Sequence, residues 1–382
     1  MKIYAPRFLT LLADLQELYS SGRACTQNAF RQNTKPQELR KSSTQLQACK
    51  IQAIYKILTE GKIAMIPKIA LGAWAWGNDG TFGNDLTEEE LRPVFEAGQK
   101  AGLNLWDTAF VYGMGKSEQV LGKFLRTVPR ESYLISTKFT PQCADMSAEN
   151  PVTAMYEGSA ERLGTKFIDY FWIHNPVGAP EWTRKLIPLA KSGNIGKIGL
   201  SNHNLAELNE AAEILAAEGL KVSAVQNHYS LLNRSSEYSG ILEWCRKNGA
   251  IFFSYMVLEQ GALSGKYSTA HPFPKESARG QVYNPVMTQL DALNSAMKEI
   301  ADAHGVGVAQ LPVAWAIAKG TLPILGVTKV KHVEDAVKAA GLALTDGEIR
   351  ELESLAEKAN INTVRIWEKE VNNPTPKGRG LR

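Results

Sequence analysis

The sequence is short of the residues that build covalent or metal-held frameworks. Its four cysteines (Cys25, Cys49, Cys143, Cys245) form no CxxC pair and its six histidines are scattered, so neither a disulfide scaffold nor a zinc module is indicated. Cysteines used this sparingly fit a reducing compartment. No uninterrupted apolar run reaches the roughly 18 residues of a membrane span, so no membrane partner is expected. No basic stripe crosses the body of the chain, which argues against nucleic acid as a partner. A GxGxxG fingerprint is missing after the first strand candidate, and Gly113-Met114-Gly115 is only half of one. Acidic residues are scarce in one region alone. Residues 1–64 hold ten Lys/Arg against four Asp/Glu, whereas the remainder holds 33 against 35.

That basic, Gln/Ser/Thr-rich leader admits three readings. It is a transit peptide, with Phe8–Tyr19 as its amphipathic helix, or a translated upstream stretch with Met65 as the functional start, or a structural extension. Met65 stands directly before a strand signal, which favours the second. Cytoplasmic residence follows from it, and organellar residence from the first. The tail 372–382 is rich in Pro, Gly and Lys and reads as flexible.

With 44% apolar and 21% charged residues, 382 residues are ample for a large core. From residue 66 short apolar runs alternate with helical segments. The strand candidates are Lys68–Leu71, Leu103–Asp107, Tyr133–Lys138, Phe167–His174, Ile195–Leu200, Ala224–Asn227, Ile251–Tyr255 and Leu322–Gly326. Helix punctuation separates them. Thr87/Glu90, Asn204/Glu207 and Thr345/Glu348 read as capping boxes, Asn150-Pro151 as a cap with proline behind it, and Gly102 and Gly305 as stops. Pro93, inside the first helix, predicts a kink. Eight βα units predict a parallel sheet closed into a single-domain (β/α)8 TIM barrel over residues 65–371.

Catalytic residues of such barrels sit at the C-terminal strand ends. Asp107, Lys138 and His174 end the second, third and fourth strand candidates, and Tyr112 follows in the second loop. Each alone has an ordinary structural explanation, such as a buried ion pair or a core histidine. Together they form an acid set. A lysine beside a tyrosine is expected to lower the phenol's pKa, a carboxylate to hold the lysine, and a histidine to donate to a carbonyl. No activated Ser or Cys nucleophile accompanies them, so hydrolysis is not indicated.

Across residues 66–360 the sequence resembles the aldo-keto reductase family. Asp107-Thr108-Ala109, Tyr112-Gly113 and Ser117-Glu118 are similar to its signature, Ile135–Lys138 to its lysine strand and Trp172–Pro176 to its histidine strand. Gly199–Asn202 and Gln226–Tyr229 resemble two further motifs. The resemblance implies metal-free, NADPH-dependent reduction of a small carbonyl substrate, with Tyr112 as general acid, Lys138 and Asp107 tuning it, and His174 orienting the carbonyl. It implies that Ser201, Asn202 and Gln226 hold the nicotinamide amide, with Trp74 beside the cofactor and Tyr255 stacked on its ring. Leu258, Gln260, Gly261 and Lys266 belong to a segment resembling the pyrophosphate loop, although relatives carry Tyr-Ser-Pro-Leu where Tyr255–Leu258 stand. Gly326, Thr328, Lys329, His332 and Asp335 fall where relatives hold the adenosine 2′-phosphate. His332 stands in place of an arginine, so NADH use is also open. Trp74, Trp76, Phe110, Trp172 and the Phe273–Tyr283 loop are expected to line an apolar substrate pocket. A regulatory nicotinamide-binding role, like that of the family's channel β-subunits, is compatible with the same residues. An aldolase or isomerase using Lys138 would leave Tyr112 unexplained.

Overall fold

The computed structural model of the chain describes residues 66–83 and 85–362. The leader 1–64 and the tail 372–382 lie outside the described residues.

Eight parallel strands close into a barrel in sequence order. They are β1 (Ala70–Gly72), β2 (Leu105–Asp107), β3 (Leu134–Phe139), β4 (Ile168–Ile173), β5 (Ile195–Ser201), β6 (Val222–His228), β7 (Ile251–Tyr255) and β8 (Leu322–Gly326). Closure is made by β8 against β1, with Ala70 opposite Ile324 and Gly72 opposite Gly326. β2 starts two residues later than its apolar run suggests. The Leu103 amide bonds back to the Gly98 carbonyl at 3.0 Å and so belongs to the end of the preceding helix.

The helix punctuation forms as expected. Thr87, Asn204 and Thr345 make reciprocal capping boxes with Glu90, Glu207 and Glu348, and Asn150 caps the helix Pro151–Leu163. Pro93 does not interrupt the helix Glu88–Lys100. It lies in the second turn, where only the carbonyl of exposed Glu89 loses a donor. Among the described residues no helix is long and apolar enough to cross a membrane.

Alternation along each strand splits the apolar residues into two cores. Inward residues Ala70, Leu105, Tyr170, Trp172, Ala224, Phe253, Leu322 and Ile324 fill the barrel. Outward residues such as Trp106, Ile135 and Phe171 pack under the helices. The Trp172 indole needs the bare backbone of β5. A Cβ on Gly199 would lie 2.1 Å from its ring. The same alternation brings Asp107, Lys138 and His174 to the upper, C-terminal end of the barrel.

Candidate active site

Asp107 and Lys138 form a buried ion pair at the top of β2 and β3, 0% and 4% exposed at the lysine and aspartate side chains. Lys138 Nζ donates to Asp107 Oδ2 at 2.7 Å and to the Thr108 carbonyl at 2.7 Å. Asp107 Oδ1 accepts from Ser136 Oγ at 2.6 Å and from Gln226 Nε2 at 3.2 Å. Ser136 Oγ in turn accepts from the Trp172 indole at 2.7 Å. Burial lowers the Lys138 pKa, with Asp107 opposing.

Tyr112 sits on a turn that needs its glycines. Gly113, Met114 and Gly115 all hold positive φ, so this GxG stretch is the turn carrying Tyr112 into the helix Lys116–Leu125. A Cβ on Gly113 would lie 2.1 Å from the Gly77 carbonyl oxygen, so two loops touch backbone to backbone here. The Trp74 ring stacks on Tyr112 with centroids 5.3 Å apart, and the His174 ring meets it edge-on at 5.9 Å. Lys138 Nζ lies 5.1 Å from the Tyr112 ring centre. The phenol pKa is raised well above its ordinary value, by burial, then Asp107, then Asp79. This reverses the expected lowering. Desolvation and the two carboxylates all act in the raising direction.

His174 is held by Thr140, whose hydroxyl lies 2.9 Å from Nδ1. Its carbonyl accepts from Asn202 Nδ2 at 3.1 Å. Burial and then Lys138 push its pKa well below the usual value, so the ring is neutral at pH 7. With the Thr140 hydroxyl donating to Nδ1, the Nε2–H is left as a donor.

Beside this set, Ser201, Asn202, Gln226 and Tyr255 form a polar shelf. Asn202 adopts φ 61°. Its amide N–H bonds to the Gln226 carbonyl at 3.1 Å and its Oδ1 accepts from the Tyr255 hydroxyl at 2.7 Å. Lys329 stands at the N-cap position of the helix Val330–Gly341, with no side-chain capping bond. The Thr328 amide donates to His332 Nδ1 at 3.2 Å. Partial desolvation and then the Lys329 charge lower the His332 pKa. Asp335 pairs with Lys331 at 2.8 Å one helical turn away, so it does not neutralise Lys329.

One cavity of about 1840 Å³ joins these groups. Asp107, Tyr112 and His174 line it, with Trp74 stacked on Tyr112, and so do the shelf residues, Leu258, Gln260, Gly261 and Lys266, and Gly326, Thr328, Lys329, His332 and Asp335. Lys138 is fully buried and does not line it.

The expected apolar pocket needs correction. Trp172 shares the inward face with His174 but lies deeper, inside the closed barrel. Trp76 is buried in the outer core, with its indole on the Val327 carbonyl. Phe110 packs under the Arg162 guanidinium, and Phe273 and Tyr283 are buried. None of these five lines the cavity. Of the expected set, Trp74 and Arg279 of the 273–283 loop line it, together with Phe82, Val111 and Tyr267. Ser136 and Thr140 escaped the sequence reading. Ser136 had a signal, since it precedes Lys138 by two on the same inward face.

The profile described as Aldo/keto reductase family matches residues 68–357. The chain is 30% identical over 315 residues to pyridoxal reductase, chloroplastic, of Arabidopsis thaliana, covering 78% of this chain and 85% of that protein. It is 28% identical over 312 residues to the Schizosaccharomyces pombe aldo-keto reductase yakc, whose name carries NADP(+), covering 76% of this chain and 89% of that one. Among solved structures, a glycerol dehydrogenase from Gluconobacter oxydans superimposes with a TM-score of 0.67 at 25% identity, over 78% of this chain and 94% of that chain. An aldo-keto reductase from Klebsiella pneumoniae in complex with NADPH gives a TM-score of 0.61 at 26% identity, over 76% and 91%.

Proposed function

The chain belongs to the aldo/keto reductase family, and from that membership we propose that it reduces an aldehyde or ketone with NADPH, using Tyr112 as general acid. The observation that carries this reading is the convergence of Tyr112, His174 and Asp107 on a single cavity, with Lys138 buried behind Asp107. That cavity is larger than the ~300–1,000 Å³ of ordinary small-molecule sites. It has room for a dinucleotide together with a substrate.

The residues along it suit such a cofactor. Ser201, Asn202 and Gln226 offer hydroxyl and amide groups to a carboxamide, Tyr255 a flat face to a ring, and Lys266 and Lys329 positive charge to phosphates. When bound, a reduced nicotinamide supplies the hydride for the carbonyl carbon. The His174 Nε2–H and the Tyr112 hydroxyl both donate to the carbonyl oxygen. As the carbon–oxygen π electrons move onto that oxygen, the Tyr112 proton passes to it. A raised phenol pKa keeps the acid protonated until the alkoxide forms, and Lys138 then faces the tyrosinate. Solvent returns the proton.

A cofactor-oxidation screen across aldehydes, ketones and sugars, with both nicotinamides, tests the reading. Turnover of at least one carbonyl class is expected. Cofactor binding without turnover of any would favour the regulatory role instead.

Cofactor choice turns on Lys329. With Lys331 engaged by Asp335, Lys329 is the principal charge offered to a 2′-phosphate. A charge-assisted contact is worth roughly 1.5–3 kcal/mol. Lys329→Met should therefore weaken NADPH about tenfold or more and leave NADH nearly unchanged. Dissociation constants for both cofactors check this. Equal losses, or a wild type that prefers NADH, would make the segment ordinary helix surface. We also propose residence in the cytoplasm, on the separate reading of Met65 as the functional start. Import of a reporter fused to residues 1–64 would replace that with an organelle.

A further inference from the structure

The segment after β7 keeps a shape that its own residues disfavour. Met256, Glu259 and Gln260 hold positive φ of 55°, 48° and 54°, and Gly261 follows at 104°. Non-glycine residues enter this region rarely and stay only where their surroundings over-determine them. No proline stiffens the stretch, since Met256-Val257 follow Tyr255. Leu258, Gln260 and Gly261 line the cavity, whereas Glu259 between them does not and is fully buried.

The Glu259 carboxylate is held by three donors from two separate stretches of chain, His228 with Ser230 and Tyr283. It accepts from His228 Nε2 at 2.7 Å, at the end of β6. It accepts from the Tyr283 hydroxyl at 2.8 Å, at the end of the helix Ala278–Tyr283. The Ser230 hydroxyl is its third donor. Asn233 Nδ2 lies 2.9 Å from His228 Nδ1 and donates to it, which assigns the ring proton to Nε2. The His228 ring stacks on Tyr255 with centroids 5.7 Å apart, and Tyr255 donates to Asn202 on the shelf. Glu259, His228, Ser230 and Tyr283 all lie outside the cavity lining, and the proposed reduction uses none of them.

We propose that Glu259 is a positioning residue for the cofactor. Its hydrogen-bond clamp with His228, Ser230 and Tyr283 holds the 256–265 segment in its binding shape and, through His228, seats the Tyr255 ring. The proposal rests on reading the cavity as a nicotinamide dinucleotide site. The clamp explains how the segment keeps its course without the Ser-Pro of relatives. It also explains why a carboxylate is tolerated there, since three donors replace the water it loses.

Glutamine separates clamping from mere presence of a side chain. Its carbonyl can accept from His228 and Ser230, and its amide can donate to the Tyr283 oxygen, whereas alanine removes every bond. Wild-type, Glu259→Gln, Glu259→Ala and Tyr283→Phe proteins would be titrated with NADPH and NADP+ by intrinsic fluorescence. Hydrogen exchange of the cofactor-free proteins would be followed across 256–265, where the Gly261 and Leu263 amides bond to the Leu258 carbonyl, with melting curves alongside. Glu259→Ala should raise both dissociation constants about tenfold or more and speed exchange in the segment, while Glu259→Gln stays within about threefold of wild type. Should the alanine variant not fold, Tyr283→Phe carries the test, with a rise of about threefold and an unchanged melting temperature. The clamp is overturned if the alanine variant, or Tyr283→Phe in its place, binds both cofactors as wild type does. A loss in Glu259→Gln equal to that in Glu259→Ala would overturn it too. A wild type that binds neither cofactor overturns the reading of the cavity and the proposal with it.

Discussion

Replacing Tyr112 with phenylalanine is expected to slow carbonyl reduction by roughly 100- to 10,000-fold, the range that positioned acid catalysis contributes. The change removes one oxygen. The ring keeps its stack on Trp74 and its edge contact with His174, so the melting temperature and the NADPH dissociation constant should stay close to wild type. The loss should therefore fall on kcat and kcat/KM together, as it does when an interaction made only in the transition state is removed. His174 would still donate to the carbonyl oxygen, which accounts for residual turnover. Single-turnover cofactor oxidation at saturating cofactor measures the step directly. Wild-type rates in Tyr112→Phe would remove Tyr112 from the chemistry and leave the acid unidentified.

Lys138→Met is expected to damage both stability and activity. It strips the counter-charge from Asp107, which then keeps only the Ser136 hydroxyl and the Gln226 amide. Removing one member of a buried ion pair costs roughly 3–5 kcal/mol, because the other charge stays desolvated. Both groups are buried, so solvent screening brings little relief. Asp107→Leu combined with Lys138→Met removes both charges, and urea denaturation should show most of that stability regained, since a matched apolar replacement of a buried pair is often neutral. Activity should stay lost in the double variant, because the tyrosinate left after proton transfer then faces no cation. Recovery of activity along with stability would show that the pair supports the barrel and not the reaction. No recovery of stability would mean that Lys138 contributes mainly through its packed stem and its bond to the Thr108 carbonyl.

Local chemistry made much of the fold legible. The Thr87, Asn204 and Thr345 boxes and the alternating apolar runs each depend on neighbours a few residues away, so the eight βα units could be read directly from the chain. Asp107, Lys138 and His174 could be placed at strand ends for the same reason. Depth within the barrel was not legible. Trp172 and His174 alternate onto one face, yet two residues of strand, roughly 6.6 Å, separate the closed interior from the open mouth. Only barrel closure decides where that boundary falls, which is why Trp172 fills the core and His174 lines the cavity. Partner choice was equally hidden. Glu259 finds His228 across 31 residues. The direction of the Tyr112 pKa was decided by burial, which no count of neighbouring charges conveys. The sequence by itself therefore determined which elements form and which residue types stand at their ends, since these follow from periodicity and capping. Tertiary structure alone decided which of those residues meet, how deeply they lie and what charge they carry, because desolvation and long-range contact exist only once the barrel has closed.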